Sequence, residues 1–207
     1  MAPSNGDHVF SPALNGVPAE QAQRELTACM EAAVAGKLTS GHWTGDPRQT
    51  RPADPIASYR VVIAVPGLYR ALEDGLATWI VGKGPSGQLV SCSLPRDPGN
   101  PNGREAWLGT VAGRPHPSGM TVEYRTGGLG SPSPDGTGAQ VYAMTLIGRY
   151  PPGVARMTAR FQGQEQRDAH VAEGVWCCQF IRGTSTGPMV VDCYDAEGNP
   201  VAQRSLA

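Results

Sequence analysis

Residues 173–181 read EGVWCCQFI. The run places Val, Trp, Phe and Ile behind a glycine, the composition of a β-strand rather than of a helix. Successive strand residues point to opposite faces, so the adjacent Cys177 and Cys178 cannot share one environment. Trp176, Cys178 and Phe180 fall on one face, the better candidate for a core. Cys177 falls on the other, the face expected toward solvent.

The same period runs through the neighbours. AQVYAMTLIG (139–148), VARMTARF (154–161), RDAHVAE (167–173) and PMVVDCYD (188–195) read as strands, with NPVAQRSL (199–206) closing. Turn signals recur at the short, regular spacing of an antiparallel sandwich or barrel. Upstream, YRVVIAV (59–65), LATWIVG (76–82) and QLVSCSL (88–94) are short β-branched runs, the last two joined by the turn residues KGPSG. GMTVEYRT (119–126) is a further strand. Residues 95–119 read mainly as a Pro-, Gly- and Asn-rich loop with Trp107 its only large aromatic, and GGLGSPSPDGTG (127–138) as another loop. Twenty-seven glycines and nineteen prolines in 207 residues suit many turns without reaching a disordered composition.

One segment breaks the pattern. VPAEQAQRELTACMEAAVAG (17–36) has Pro18 at its start, Glu20 in its first turn and Gly36 past its end. Ala22, Leu26, Cys29, Met30, Ala33 and Val34 lie on one face of a 3.6-residue helix. The expected fold is therefore mostly β, an antiparallel β-sandwich or barrel with one N-terminal α-helix packed on it. Residues 17–207 form a single domain and 1–16 a disordered leader or a cut end.

Seventeen basic against eighteen acidic residues give a net charge of -1, and the basic residues are scattered, so no nucleic-acid partner is implied. Fifteen of the seventeen are Arg, a bias that fits a GC-rich, actinobacterial source. No run is long and apolar enough to span a membrane, and the first residues lack the basic and hydrophobic regions of a signal peptide. With Met1 as the native start the chain is expected to be cytoplasmic.

Chemical motifs are sparse. Five Cys and four His show neither the Cys-x2-Cys nor the His-x3-His spacing of a zinc site, and no cofactor is expected. The glycine-rich loop lacks the Gly-Lys-Ser/Thr ending of a phosphate loop. Cys177 opposite His170 in a strand hairpin is the one conceivable nucleophile pair, although a reactive thiol needs an accessible, electropositive setting. No catalytic residue is assigned. Loops on a rigid β scaffold are where binding usually sits, which makes Trp43, Trp107 and Tyr124 the candidate ligand contacts. Trp79 and Trp176 read as core.

IGRYPPGVARMTARF, HVAEGVWCCQF and VVDCYDAEGNPVA resemble the last region of actinobacterial extracytoplasmic domains, some of them in membrane proteins similar to anti-sigma factors. The matching positions are Gly148, Arg149, Pro152, Gly153, Val154, Ala155, Arg156, Gly174, Trp176, Tyr194, Asp195 and Gly198, with VSCSLP around Cys92 matching more loosely. These are turn and core residues, so the resemblance implies fold more than activity. It implies an extracytoplasmic or secreted home if the native start lies upstream. This chain has no transmembrane helix or sigma-binding segment, so anti-sigma activity is not carried over.

An extracytoplasmic home makes the cysteines disulfide candidates. Strand alternation pairs Cys178 with Cys193 if 174–181 and 188–194 form a hairpin. The resemblance, with the inward face of Cys29, suggests Cys29 with Cys92. Four of the five thiols are then oxidised and Cys177 is the free thiol. The alternative is five reduced cysteines packed as small hydrophobes. Three functional classes remain: a non-catalytic extracytoplasmic domain binding or sensing a small molecule or protein, a hydrolytic or small-molecule-modifying enzyme with a barrel pocket, and a structural protein-interaction module.

Overall fold

The structure is a computed structural model, and it describes residues 12–36, 44–45, 51–66, 76–95, 105–109, 119–127, 142–161, 165–182 and 188–206. One long helix, α1 (Ala19–Val34), precedes thirteen strands among these residues. Strands β1 (Thr44–Gly45), β2 (Arg60–Pro66), β3 (Leu76–Lys83), β4 (Leu89–Pro95) and β5 (Glu105–Leu108) form sheet I, in the order β1-β5-β4-β3-β2. Sheet II, ordered β10-β11-β7-β6, contains β6 (Thr121–Gly127), β7 (Tyr142–Arg149), β10 (His170–Ala172) and β11 (Val175–Arg182). Sheet III is β13-β12-β8-β9, made of β8 (Arg156–Phe161), β9 (Arg167–Asp168), β12 (Met189–Tyr194) and β13 (Pro200–Leu206). Every pairing among these strands is antiparallel except β1 with β5.

Three buried clusters give the stacking order. Ala22, Leu26, Cys29, Met30 and Ala33 of α1 pack on Val61, Ala64, Ile80, Val90, Cys92 and Leu108 of sheet I. The opposite face of sheet I, through Val62, Ile63, Val65, Trp79, Val81, Leu89 and Trp107, meets Ile147, Ala172, Val175 and Cys177 of sheet II. The other face of sheet II, with Leu146, Trp176, Cys178 and Phe180, packs on Met157, Ala159, Phe161, Val191 and Cys193 of sheet III. The molecule is thus a sandwich of three sheets with the helix outermost on sheet I. Sheets II and III do not close into a barrel. Between their outer strands β6 and β13, Arg204 Nη1 donates 3.1 Å to the carbonyl just before β6, Met120 O.

Local chemistry explains the elements. The helix buries the expected stripe, except that Val34 is 44% exposed. At 100° per residue Val34 has rotated about 120° away from Ala22, off the apolar face. Gln23 brackets the irregular start of β2, donating to Tyr59 O at 2.9 Å and accepting from Val61 N–H at 3.1 Å. The register of β2 shifts between Val61 and Ile63, so these groups need a partner outside the ladder. Glu173 (φ 52) and Gly174 (φ 75) form the two-residue link from β10 to β11, with both central residues at positive φ as a type I′ hairpin requires.

Some sequence expectations change. RDAHVAE is not one strand: β9 lies in sheet III and β10 in sheet II, and the break falls at Ala169, whose N–H reaches back to Met157 O at 2.9 Å. Residues 105–108, inside the expected loop 95–119, pair with β4 as strand β5. Of the expected leader 1–16, positions 1–11 lie outside the described residues. Its last residues lie beside β2, with Ala13 N–H bonded to Val62 O and Ala64 N–H to Ala13 O, each at 2.9 Å.

Candidate functional site

The cysteines separate into one bridge and three buried thiols. Cys29 on α1 and Cys92 on β4 are at disulfide distance, with Cα atoms 6.4 Å apart, inside the usual range. Both are fully buried, so the link ties the helix to sheet I from within the first cluster. The pairing expected between Cys178 and Cys193 does not form. β11 pairs with β7 and β10, whereas β12 pairs with β8 and β13, because the chain crosses from sheet II to sheet III after Arg182 instead of turning back as a hairpin. Both thiols enter the cluster between those sheets. Cys178 Sγ faces Asp168 O at 3.8 Å, and Cys193 Sγ lies 3.7 Å from Met120 Sδ.

Cys177 is free, as expected, but it does not face solvent. Sheet II is the middle layer, so the second face of β11 is buried against sheet I and Cys177 has no exposure. A signal for this stood in the sequence: 175–181 is an almost unbroken apolar run, the pattern of a strand covered on both faces.

These burials set the chemistry of the thiols. Burial raises the Cys177 thiol far above its ordinary range, and the neighbouring Cys178 raises it further. Burial pushes Cys178 up to about 12 and Cys193 to about 11. Thiolate is the reactive form, so all three are poor nucleophiles in the folded chain. Alkylation without reductant is expected to label none of them in native protein and three per chain after unfolding in denaturant. Mass spectrometry of the labelled peptides checks this, and rapid native labelling of Cys177 would contradict its burial.

His170 does sit opposite Cys177 in the ladder between β10 and β11. Burial lowers the pKa of His170 from its ordinary 6.5, and Asp168 only partly offsets this. A lowered folded-state pKa means that the unfolded chain takes up a proton first. Stability is therefore fully present above about pH 6.5 and falls as the pH drops below that value, levelling beneath the folded pKa. Replacement by Gln is expected to remove this contribution, seen as a smaller loss of the urea midpoint between neutral and mildly acidic buffer than in the parent. An unchanged difference would show that His170 titrates alike in both states. Among the described residues, no three His, Cys, Asp or Glu side chains converge to hold a metal.

The aromatic candidates do not gather. Trp107 is 5% exposed and belongs to the cluster between sheets I and II, as does Trp79. Trp43 lies outside the described residues. Tyr124 is opposite Ile147 in the ladder between β6 and β7, and its side chain lies outside the described ones.

What the fold does organise is its two ends. At one end Arg149 of β7 pairs with Glu123 of β6 and donates through Nη2 to Gly87 O in the β3–β4 turn. Lys83 Nζ donates 3.0 Å to Glu173 O, and Tyr150 N–H bonds Gly174 O at 3.0 Å. Beside them Asp54 accepts from Ser86 N–H and Oγ, and Gln88 Oε1 accepts from Ala53 N–H and from the Tyr59 hydroxyl. The residues behind the resemblance collect here. Gly148, Arg149 and Trp176 lie at the β6–β7–β11 junction, and Arg156 is stacked 5.6 Å from the Tyr194 ring. Asp195 closes the β12–β13 turn by accepting from Asn199 N–H at 2.7 Å. These residues hold the fold.

At the other end the strands run out into longer connections. The registers put Pro66, Leu76, Pro95, Glu105, Gly127, Tyr142, Phe161, Arg182 and Met189 at this end, so segments 67–75, 96–104, 128–141, 162–166 and 183–188 all leave from it. The expected loop 95–119 is therefore two segments, of which 96–104 leaves here and 110–118 from the stapled end. Phe161 and Phe180, in edge contact at 5.1 Å, close the core of sheets II and III beneath this end. Inward along the interlayer of sheets I and II, buried Ser91 and Ser93 on β4 and Thr145 and Gln179 on β7 and β11 replace the apolar side chains found nearer the staples. No family model, curated protein or solved structure matches the chain.

Proposed function

We propose that this chain is a non-catalytic, extracytoplasmic binding or sensory domain whose ligand, a small molecule or a protein segment, is taken at the end from which 67–75, 96–104, 128–141, 162–166 and 183–188 leave. The observation that carries the reading is the gathering of five connections at one end of the three sheets. The strand registers of all three sheets bring these five connections out over one end of the three-sheet base. Recognition surfaces on β scaffolds are built in this way.

The Cys29–Cys92 bridge supports an oxidising compartment, since such links persist there and are rare in reducing cytosol. The resemblance of 148–156, 174–176 and 194–198 to extracytoplasmic domains points the same way. The high thiol pKa values weigh against the Cys177–His170 enzyme reading.

The test is amide NMR of the oxidised chain titrated with a panel of peptides and neutral metabolites. Binding is expected to shift amides at Thr78, Glu105, Gly127, Phe161, Arg182 and Met189, with every compound recovered unchanged. Shifts confined to Gly87, Gly148 and Gly174, or chemical conversion of a panel member, would overturn the proposal.

A further inference from the structure

We infer that Asn15–Gly16 is a spontaneous modification site, at which deamidation of Asn15 releases the segment that covers the outer edge of β2. Strand β2 ends sheet I, and an uncovered strand edge presents unpaired N–H and C=O groups. Ala13 covers it through a single parallel bridge to Ile63, made by Ala13 N–H to Val62 O and Ala64 N–H to Ala13 O. Asn15 completes this cover. Its Nδ2 donates to Ala13 O at 3.2 Å and to Ala64 O at 3.1 Å, joining the covering segment to the strand beneath.

The same residue precedes an unobstructed glycine in an exposed turn. Asn15 (φ 46) and Gly16 (φ 85) are the central pair of a turn closed by Val17 N–H to Leu14 O at 2.8 Å, and both are exposed. Among the described residues Gly16 N–H has no acceptor, and nothing lies within 4 Å of where a Cβ on Gly16 would be. The Gly16 amide nitrogen is thus unhindered one residue after an asparagine. It loses its proton to solvent and attacks Asn15 Cγ. The new N–C bond closes a succinimide as the bond to Nδ2 breaks, and ammonia leaves. Water then opens the ring at either carbonyl, giving Asp or isoaspartate, with no change of oxidation state. The product carries a carboxylate where two carbonyl oxygens previously accepted hydrogen bonds, so both bonds are lost and the new charge faces two acceptors.

The experiment ages the folded, oxidised chain in warm, mildly alkaline buffer and maps its peptides. Acid is expected at position 15, and none at Asn199, which precedes Pro200 and so lacks an attacking N–H. Hydrogen exchange is then read on the aged mixture and on Asn15→Asp. The Ala13 and Ala64 amides are expected to exchange about tenfold faster than in the parent, the loss of one to two hydrogen bonds, while the interior Ile80 amide is unchanged. If Asn15→Asp fails to fold, aged parent in which position 15 is converted and the Asn-Gly pairs at Asn5 and Asn102 are not supplies the same comparison. Absence of acid at Asn15 in folded protein would overturn the inference, as would unchanged exchange at Ala13 and Ala64 after conversion.

Discussion

Replacing both Cys29 and Cys92 with Ala is expected to lower the stability of the oxidised chain by about 4 kcal/mol, the largest effect of any change proposed for α1. The bridge closes a loop with a sequence separation of 63. In the chain-entropy account a loop of this size restricts the unfolded ensemble by roughly 4 kcal/mol. For a chain of this length that corresponds to a melting temperature lower by about 10 °C. The fold itself is expected to survive. Ala22, Leu26, Met30 and Ala33 still pack α1 on sheet I, and Gln23 still holds the start of β2. Because both sulfurs are fully buried, reductant should act slowly on native protein and quickly once α1 lifts away. Equal melting temperatures for the parent and the double variant under oxidising conditions would show that no bridge forms in solution.

The helix was legible because its signals are local: a proline start, a glycine stop and an apolar stripe at a 3.6-residue period. Most strands were legible for the same reason. What failed was non-local. Strand alternation gave the two faces of EGVWCCQFI correctly, but it carries no information on how many faces are covered. Alternation alone therefore turns Cys177 toward solvent, whereas sheet I lies over it. The same limit misdirected Cys193. A hairpin is the commonest link between sequential strands, yet the chain after Arg182 changes sheet, so Cys178 and Cys193 share a core without sharing a ladder. Trp107 reads as a loop residue in the sequence because its four-residue strand is too short to show a period among prolines and glycines. For ligand binding the sequence offered only exposed-aromatic arguments. The gathering of five connections at one end follows from strand direction and register, which no local pattern encodes.

Gly148→Ala is expected to cost about 3 kcal/mol or more, far beyond the usual penalty of an alanine in a strand, because of what crosses above it. Gly148 faces Trp176 on β11 and Val122 on β6. The Trp176 indole runs over the glycine so that Nε1 donates 3.0 Å to Thr121 O. A Cβ on Gly148 would overlap the Thr121 carbonyl and press on Trp176 Nε1. Neither yields cheaply, since Thr121 O is backbone at the start of β6 and Trp176 is fully buried. Relief requires β6 to leave β7 or the indole to leave its acceptor, and the first would also strain the bond from Arg149 N–H to Thr121 Oγ1 at 3.1 Å.

Gly174→Ala makes the informative comparison. That glycine has φ 75 but nothing within 4 Å of an added Cβ, so its cost is conformational only, about 1–2 kcal/mol. Denaturant midpoints are expected to rank Gly148→Ala well below Gly174→Ala, and the indole N–H resonance of Trp176 should move only in the former. If the two variants are equally destabilised, backbone conformation rather than close packing explains both glycines. Trp176→Phe, which removes the hydrogen bond and part of the obstruction, should make Gly148→Ala less costly than it is in the parent. The relief should be partial, because the Thr121 carbonyl stays where it was.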